Sequence, residues 1–148
     1  DFGNGLSLYQ EVIHVTLIIY YPKKFAPKRV IQRVSNVDIF PTVLDTLSIT
    51  IPKNIDGISL VPLMTGRNNY SREFILSEVW GSWDKPNNIK SQRAIIKDDW
   101  KLIEVTPPQE TLPSGLFNLK NDPEERKNLY NSNIAKREEL KDYLRDLK

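Results

Sequence analysis

Chemistry in this chain would have to come from carboxylates, basic side chains and one imidazole. There is no cysteine, and His14 is the sole histidine. That excludes thiol nucleophiles, zinc–thiolate sites, disulfides and His-cluster metal sites, and makes a Ser-His-Asp triad improbable. His14 sits in an apolar, β-branched run and reads as a strand residue at a core edge. Three carboxylate pairs, Asp98–Asp99, Glu124–Glu125 and Glu138–Glu139, have the residue types of general acid–base work. Each falls in a turn, at a helix start or on a helix surface, where cap and surface roles explain it. Trp80, Trp83 and Trp100 could stack against sugar rings, but Trp100 reads as sheet core in a hairpin strand. On these residues alone no catalytic residue and no metal ligand is assigned.

Two short motifs lead no further. Asp1-Phe2-Gly3 has the form of a kinase magnesium tripeptide, but the Gly-rich loop, strand lysine and His-Arg-Asp loop that should precede it are missing. Asn69-Tyr70-Ser71 fits the N-glycosylation acceptor pattern, a triplet that is common by chance. No Walker-type phosphate cradle is present.

Of the 148 residues, 39% are hydrophobic and 27% charged, which suits a soluble globular protein and excludes fibrous classes. Twenty-one basic and 19 acidic residues give +2, too even a balance to imply nucleic acid as a partner. The longest apolar run, Val12 to Tyr21, is interrupted by His14 and Thr16 and falls short of the roughly 20 residues of a membrane helix. No membrane partner is expected. No signal segment is visible, which leaves the compartment unknown. The chain opens on a Gly-punctuated loop followed by that apolar run, as if it started inside a larger protein.

The elements that would position any site follow from periodicity. Val12 to Tyr21 predicts a buried strand closed by Pro22. Pro22 to Arg29 is a basic, solvated turn, and Val30 to Val34 a short strand. Ser35 and Asp38 mark a helix start, and Val37, Phe40, Val43, Leu44 and Leu47 give that helix one apolar face. Ser59 to Met64 reads as a short helix ended by Gly66. After residue 72 the period changes. Glu73 to Trp80 is a strand, and Arg93 to Ile96 with Trp100 to Val105 flank a turn at Lys97-Asp98-Asp99, a hairpin. Leu116 to Leu119 is a further strand. Asp122-Pro123-Glu124-Glu125 predicts a helix start, and Ile134 to Leu147 an amphipathic helix. The order is α/β first, then a small antiparallel sheet closed by helix. The expected division is 1–72 and 73–148.

Five segments in order resemble the sulfatase family. Leu8-Tyr9-Gln10-Glu11, followed by Val15 to Pro22, resembles its late Leu-Tyr-Glu turn and strand. Asn36-Val37-Asp38-Ile39-Phe40-Pro41-Thr42 resembles its Val-Asp-Leu-Phe-Pro-Thr helix, and Asp56-Gly57-Ile58-Ser59-Leu60 its Asp-Gly-x-Ser-Leu segment. Asp99-Trp100-Lys101-Leu102-Ile103, with Arg93 upstream, resembles its Trp-Lys-Leu-Ile hairpin. Leu116-Phe117-Asn118-Leu119, Asp122-Pro123-Glu124-Glu125 and Asn128-Leu129 resemble its ending.

The resemblance implies the end of a sulfatase-like α/β domain, of the alkaline phosphatase-like superfamily, followed by a small antiparallel subdomain with a C-terminal helix. It implies hydrolysis of sulfate esters by the intact protein, using a formylglycine nucleophile and a calcium ion. This chain lacks the Cys/Ser-x-Pro-x-Arg motif and the Asp-rich metal ligands, and Thr16 stands where the family often has Pro. The resemblance therefore implies no cofactor within this chain, and inactivity on its own. Near the Leu-Tyr turn, Asn4 stands where the family places a sulfate-contacting Lys or His; it is the one substrate-binding candidate. Asn donates a hydrogen bond but carries no charge and cannot act as general acid. The alternatives are a non-catalytic interaction module, self-associating through an exposed truncated sheet, and a fragment of a related phosphodiesterase or phosphoglycerol transferase.

Overall fold

The computed structural model describes residues 7–67, 70–81, 90–106 and 113–147. They form two compact units: one of Asp1–Thr16 with Leu76–Lys148, the other of Leu17–Ile75.

The first unit is built on a four-stranded sheet in the order β1 (Phe74–Gly81), β2 (Lys90–Lys97), β3 (Trp100–Thr106), β4 (Gly115–Asn118). The hairpin expected at Lys97-Asp98-Asp99 joins β2 to β3, with Lys97 opposite Trp100 and Asp98 at φ 52°. β4 adds antiparallel to β3, placing Phe117 opposite Lys101 and Leu116 opposite Leu102. Alternation along these strands makes two faces. One carries Arg93, Ile95, Lys97, Leu102 and Glu104; the other carries Ala94, Ile96, Lys101, Ile103 and Phe117. Ile95, Leu102, Ile103, Leu116 and Phe117 are all but fully buried.

A helix at Ile134–Asp146 packs on β2 and β3 through buried Leu140 and Leu144. Asn133 caps it, its side chain accepting from the Lys136 amide. At the other end Arg93 donates to the carbonyls of Leu144 (2.8 Å) and Leu147 (3.0 Å) and holds Glu78 at 2.5 Å. A guanidinium there matches both the unpaired carbonyls and the helix dipole.

The helix start expected at Asp122 forms a turn instead. The Asp122 carboxylate accepts from the Arg126 and Lys127 amides at 3.0 and 2.8 Å. These two bonds hold its pKa below the ordinary carboxylate range. Glu125 stands at φ 55°, a left-handed conformation that stops a helix from propagating.

In the second unit a single 3₁₀ turn, Asn36–Asp38, runs into a helix at Ile39–Thr46, and a shorter helix spans Val61–Thr65. Ser35 takes the expected N-cap position, in a capping box with Asp38, whose Oδ2 accepts from the Ser35 amide at 2.9 Å. Pro41 sits in the first turn, where its missing N–H costs nothing. Gly66, at φ 78°, ends the second helix as expected.

The strands expected at Val12 to Tyr21 and Val30 to Val34 are absent. One helical turn, Gln10–Ile13, is followed by chain that joins no ladder among the described residues. Ile18 and Tyr20 are 82% and 87% exposed. A β-branched run has strand propensity, but without a neighbouring strand its backbone groups stay with water. The apolar face of the 39–46 helix is also exposed at Val37, Phe40, Val43 and Leu47. What this helix buries is its polar side, Asp38 and Thr42, with Pro41.

Candidate functional site

The segments that carry the sulfatase resemblance meet in two hubs, one in each unit. In the first, Lys101, the second residue of β3, points into the core and is fully buried, with its Nζ 2.6 Å from Glu125 Oε1. The other oxygen of Glu125 accepts from the Gln10 amide at 2.6 Å, at the head of the Gln10–Ile13 turn. Beside this ion pair the Tyr9 ring meets Phe117 edge-on, centroids 5.7 Å apart. Ser7 and Leu8 are buried with it. Glu125 is thus a clasp: one carboxylate neutralises a buried ammonium from β3 and also ties down the Leu8-Tyr9-Gln10 segment.

Burial pushes the Lys101 ammonium pKa down, and the Glu125 carboxylate opposes that shift. Tyr9 is pushed up by burial and then by the charges of Glu125 and Glu11. The rest of the ending braces β4. Asn128 Oδ1 accepts from the Leu116 and Tyr130 amides at 3.1 and 2.9 Å, and its Nδ2 donates to the Ser114 carbonyl at 3.0 Å.

The second hub centres on Asp38, fully buried. Oδ1 accepts from the Ile58 amide at 2.8 Å and pairs with Arg72; Oδ2 accepts from Ser35, and from the Tyr70 hydroxyl at 3.4 Å. One turn on, Thr42 Oγ1 accepts from the Leu60 amide at 2.8 Å, and Asp45 accepts from the Ser59 hydroxyl at 2.5 Å. Positions 38, 42 and 45 are spaced to share one helix face, and together they bind the backbone of 58–60. Gly57 is required there: a Cβ would stand 2.0 Å from the Val37 carbonyl oxygen.

Neither hub is built for turnover. The two buried carboxylates, Asp38 and Glu125, each face a cation and a backbone amide rather than solvent. Glu125, expected as a first-turn acid at a helix start, is a buried structural anion. Its partner Lys101 carried a signal: a lysine between Trp100 and Leu102-Ile103 in a strand buried on both faces needs a carboxylate. The Arg72–Asp38 pair had no such signal, because 34 residues separate them. Trp80 is largely exposed and Trp100 half-buried. Asn4, Trp83 and Asn69 lie outside the described residues.

A fold of this kind, an antiparallel sheet with the Lys101–Glu125 clasp in its core and a C-terminal helix closing it, is that of a sulfatase C-terminal portion. The chain belongs to the family described as N-sulphoglucosamine sulphohydrolase, C-terminal, whose model matches residues 5–148. It is 35% identical to Arylsulfatase K of Homo sapiens over 132 residues, 84% of this chain and 24% of that protein. It is 27% identical to an N-acetylglucosamine-6-O-sulfatase of Bacteroides thetaiotaomicron over 126 residues, 83% of this chain and 22% of that protein. Among solved structures it resembles a 2-O GAG sulfatase (TM-score 0.59, 28% identity, 74% of this chain, 24% of that one). It also resembles a sulfatase in complex with its substrate D-glucosamine-2-N,6-O-disulfate (TM-score 0.61, 25% identity, 76% and 23%). The chain spans about a quarter of the length of the curated relatives it matches.

The family implies calcium and formylglycine. Among the described residues no three His, Cys, Asp or Glu side chains come together as metal ligands, and the buried carboxylates Asp38 and Glu125 already face cations. These residues do not fit a calcium site, and the chain lacks the Cys/Ser-x-Pro-x-Arg motif that would be converted.

Proposed function

We propose that this chain is the C-terminal portion of a hydrolase that cleaves sulfate esters of carbohydrates, and that it has no sulfatase activity alone. The family match over residues 5–148 carries this reading, and the carbohydrate substrate class follows what the relatives are said to act on. The chain's own contribution is positional. The Lys101–Glu125 clasp fixes the Leu8-Tyr9-Gln10 segment, and the proposed substrate contact, Asn4, precedes that segment by only a few residues. A nucleophile and a metal charge supply most of the barrier reduction in ester hydrolysis, so both must come from outside these residues. The test is turnover of an aryl sulfate with added calcium. The purified 148-residue chain is expected to show none, and a longer polypeptide that includes it is expected to be active. Calcium-dependent hydrolysis by the 148-residue chain would overturn the reading.

A second reading is favoured by one observation. The exposed apolar residues of 15–21 and of the 39–46 helix fit a non-catalytic module that associates with another copy.

A further inference from the structure

Charge is unevenly divided. Residues 17–75 hold eight Lys and Arg against four Asp and Glu, a net +4, so the remaining residues sum to −2. No acid occurs between Glu11 and Asp38, and five cations, Lys23, Lys24, Lys28, Arg29 and Arg33, fall in the middle of that stretch. All five are exposed.

The turn that carries them is fixed. The Lys24 and Phe25 amides donate to the Tyr21 carbonyl at 3.0 and 2.9 Å. Phe25 is buried and its ring meets Tyr21 edge-on at 6.2 Å. Lys24 Nζ donates to the Thr46 carbonyl at 2.6 Å, at the end of the 39–46 helix. Lys28 Nζ donates to the Leu63 carbonyl at 2.8 Å, in the last turn of the 61–65 helix. Each lysine uses one of its three donors this way and keeps two for another acceptor. Among the described residues no carboxylate stands within ion-pair distance of Lys23, Lys24, Lys28 or Arg29. Lys28 Nζ also lies 4.0 Å from where a Gly66 Cβ would be, and the next residue along the chain, Arg67, is exposed.

We propose that this strip, Lys23 to Arg29 with Arg67, is an interaction surface for a sulfated polysaccharide. Unpaired exposed cations held on a fixed turn lose little freedom when an anion binds, and that preorganisation favours association. A chain bearing regularly spaced sulfates matches several cations at once. The overall charge of +2 falls short of the strongly basic balance usual in nucleic-acid-binding domains, and the DNA competition below separates the two partners. The choice of a sulfated partner rests on the hydrolase reading above.

The experiment titrates a heparin-derived oligosaccharide into the full 148-residue chain at several salt concentrations. Binding should weaken as salt rises, because the attraction is between exposed charges. Lys23→Gln with Arg29→Gln, which touch neither helix carbonyl, should weaken it about tenfold and flatten the salt dependence. Arg126→Gln with Lys136→Gln removes equal charge elsewhere and should leave affinity unchanged. Three results would overturn the proposal: no binding by the unaltered chain, equal weakening by both variant pairs, or equal competition by a single-stranded DNA of the same charge. Turnover is not read, so failure of the hydrolase reading shows separately, in the aryl sulfate assay on the longer polypeptide.

Discussion

At the scale of single residues, the unusual chemistry belongs to Lys101 and Glu125. An ammonium inside a sheet core is tolerated only because a carboxylate stands 2.6 Å away. Removing one partner leaves the other charged and unpaired, which in buried pairs costs about 3 to 5 kcal/mol. Glu125→Gln is therefore expected to lower unfolding free energy by about 3 kcal/mol in a denaturant titration. Lys101→Met with Glu125→Leu is expected to recover much of that loss, since no buried charge remains. The double variant still lacks the acceptor for the Gln10 amide, so amide exchange at residues 9–13 should remain faster than in the unaltered chain. Equal exchange there would sink the clasp. The sequence left half of this pair in view: Lys101 lies in a readable strand, while Glu125 reads as a helix-start acid until its left-handed φ and buried side chain are seen.

At the scale of elements, short pieces of secondary structure are joined by side chains that bind backbone. The 39–46 helix has eight residues, too few for stability by propensity alone. It is held by Asp38, Thr42 and Asp45 gripping 58–60. That grip needs the two backbones close together, and Gly57 permits it. Gly57→Ala is expected to cost about 3 kcal/mol, because a methyl group 2.0 Å from the Val37 carbonyl forces the segments apart. Thermal unfolding followed by circular dichroism measures this, and an unchanged midpoint would refute the close approach. Caps, the hairpin and the C-terminal helix were legible because each rests on neighbours within a few residues. The strand expected at Val12 to Tyr21 failed because a strand is defined by its partner, which local sequence does not contain.

At the scale of the whole molecule, the exposed apolar surface sets behaviour in solution. Val15, Ile18, Tyr20, Phe40, Val43 and Leu47 all face solvent, and apolar surface of this kind drives association. The 148-residue chain is expected to associate as concentration rises, read as increasing mass in light scattering. A single monomeric mass across the range would count against both the association and the second functional reading.

The sequence alone determined the family, through five ordered segments, and the elements whose signals are local: the cap at Ser35, the β2–β3 turn and the final helix. It also excluded thiol and His-cluster chemistry by composition. Only the tertiary structure decided what those segments do. Lys101 meets Glu125, Gln10 meets Glu125 across 115 residues, and Arg72 meets Asp38 across 34. Such pairings depend on which buried charges the fold brings face to face, and spacing along a chain does not encode that until the chain has closed on itself.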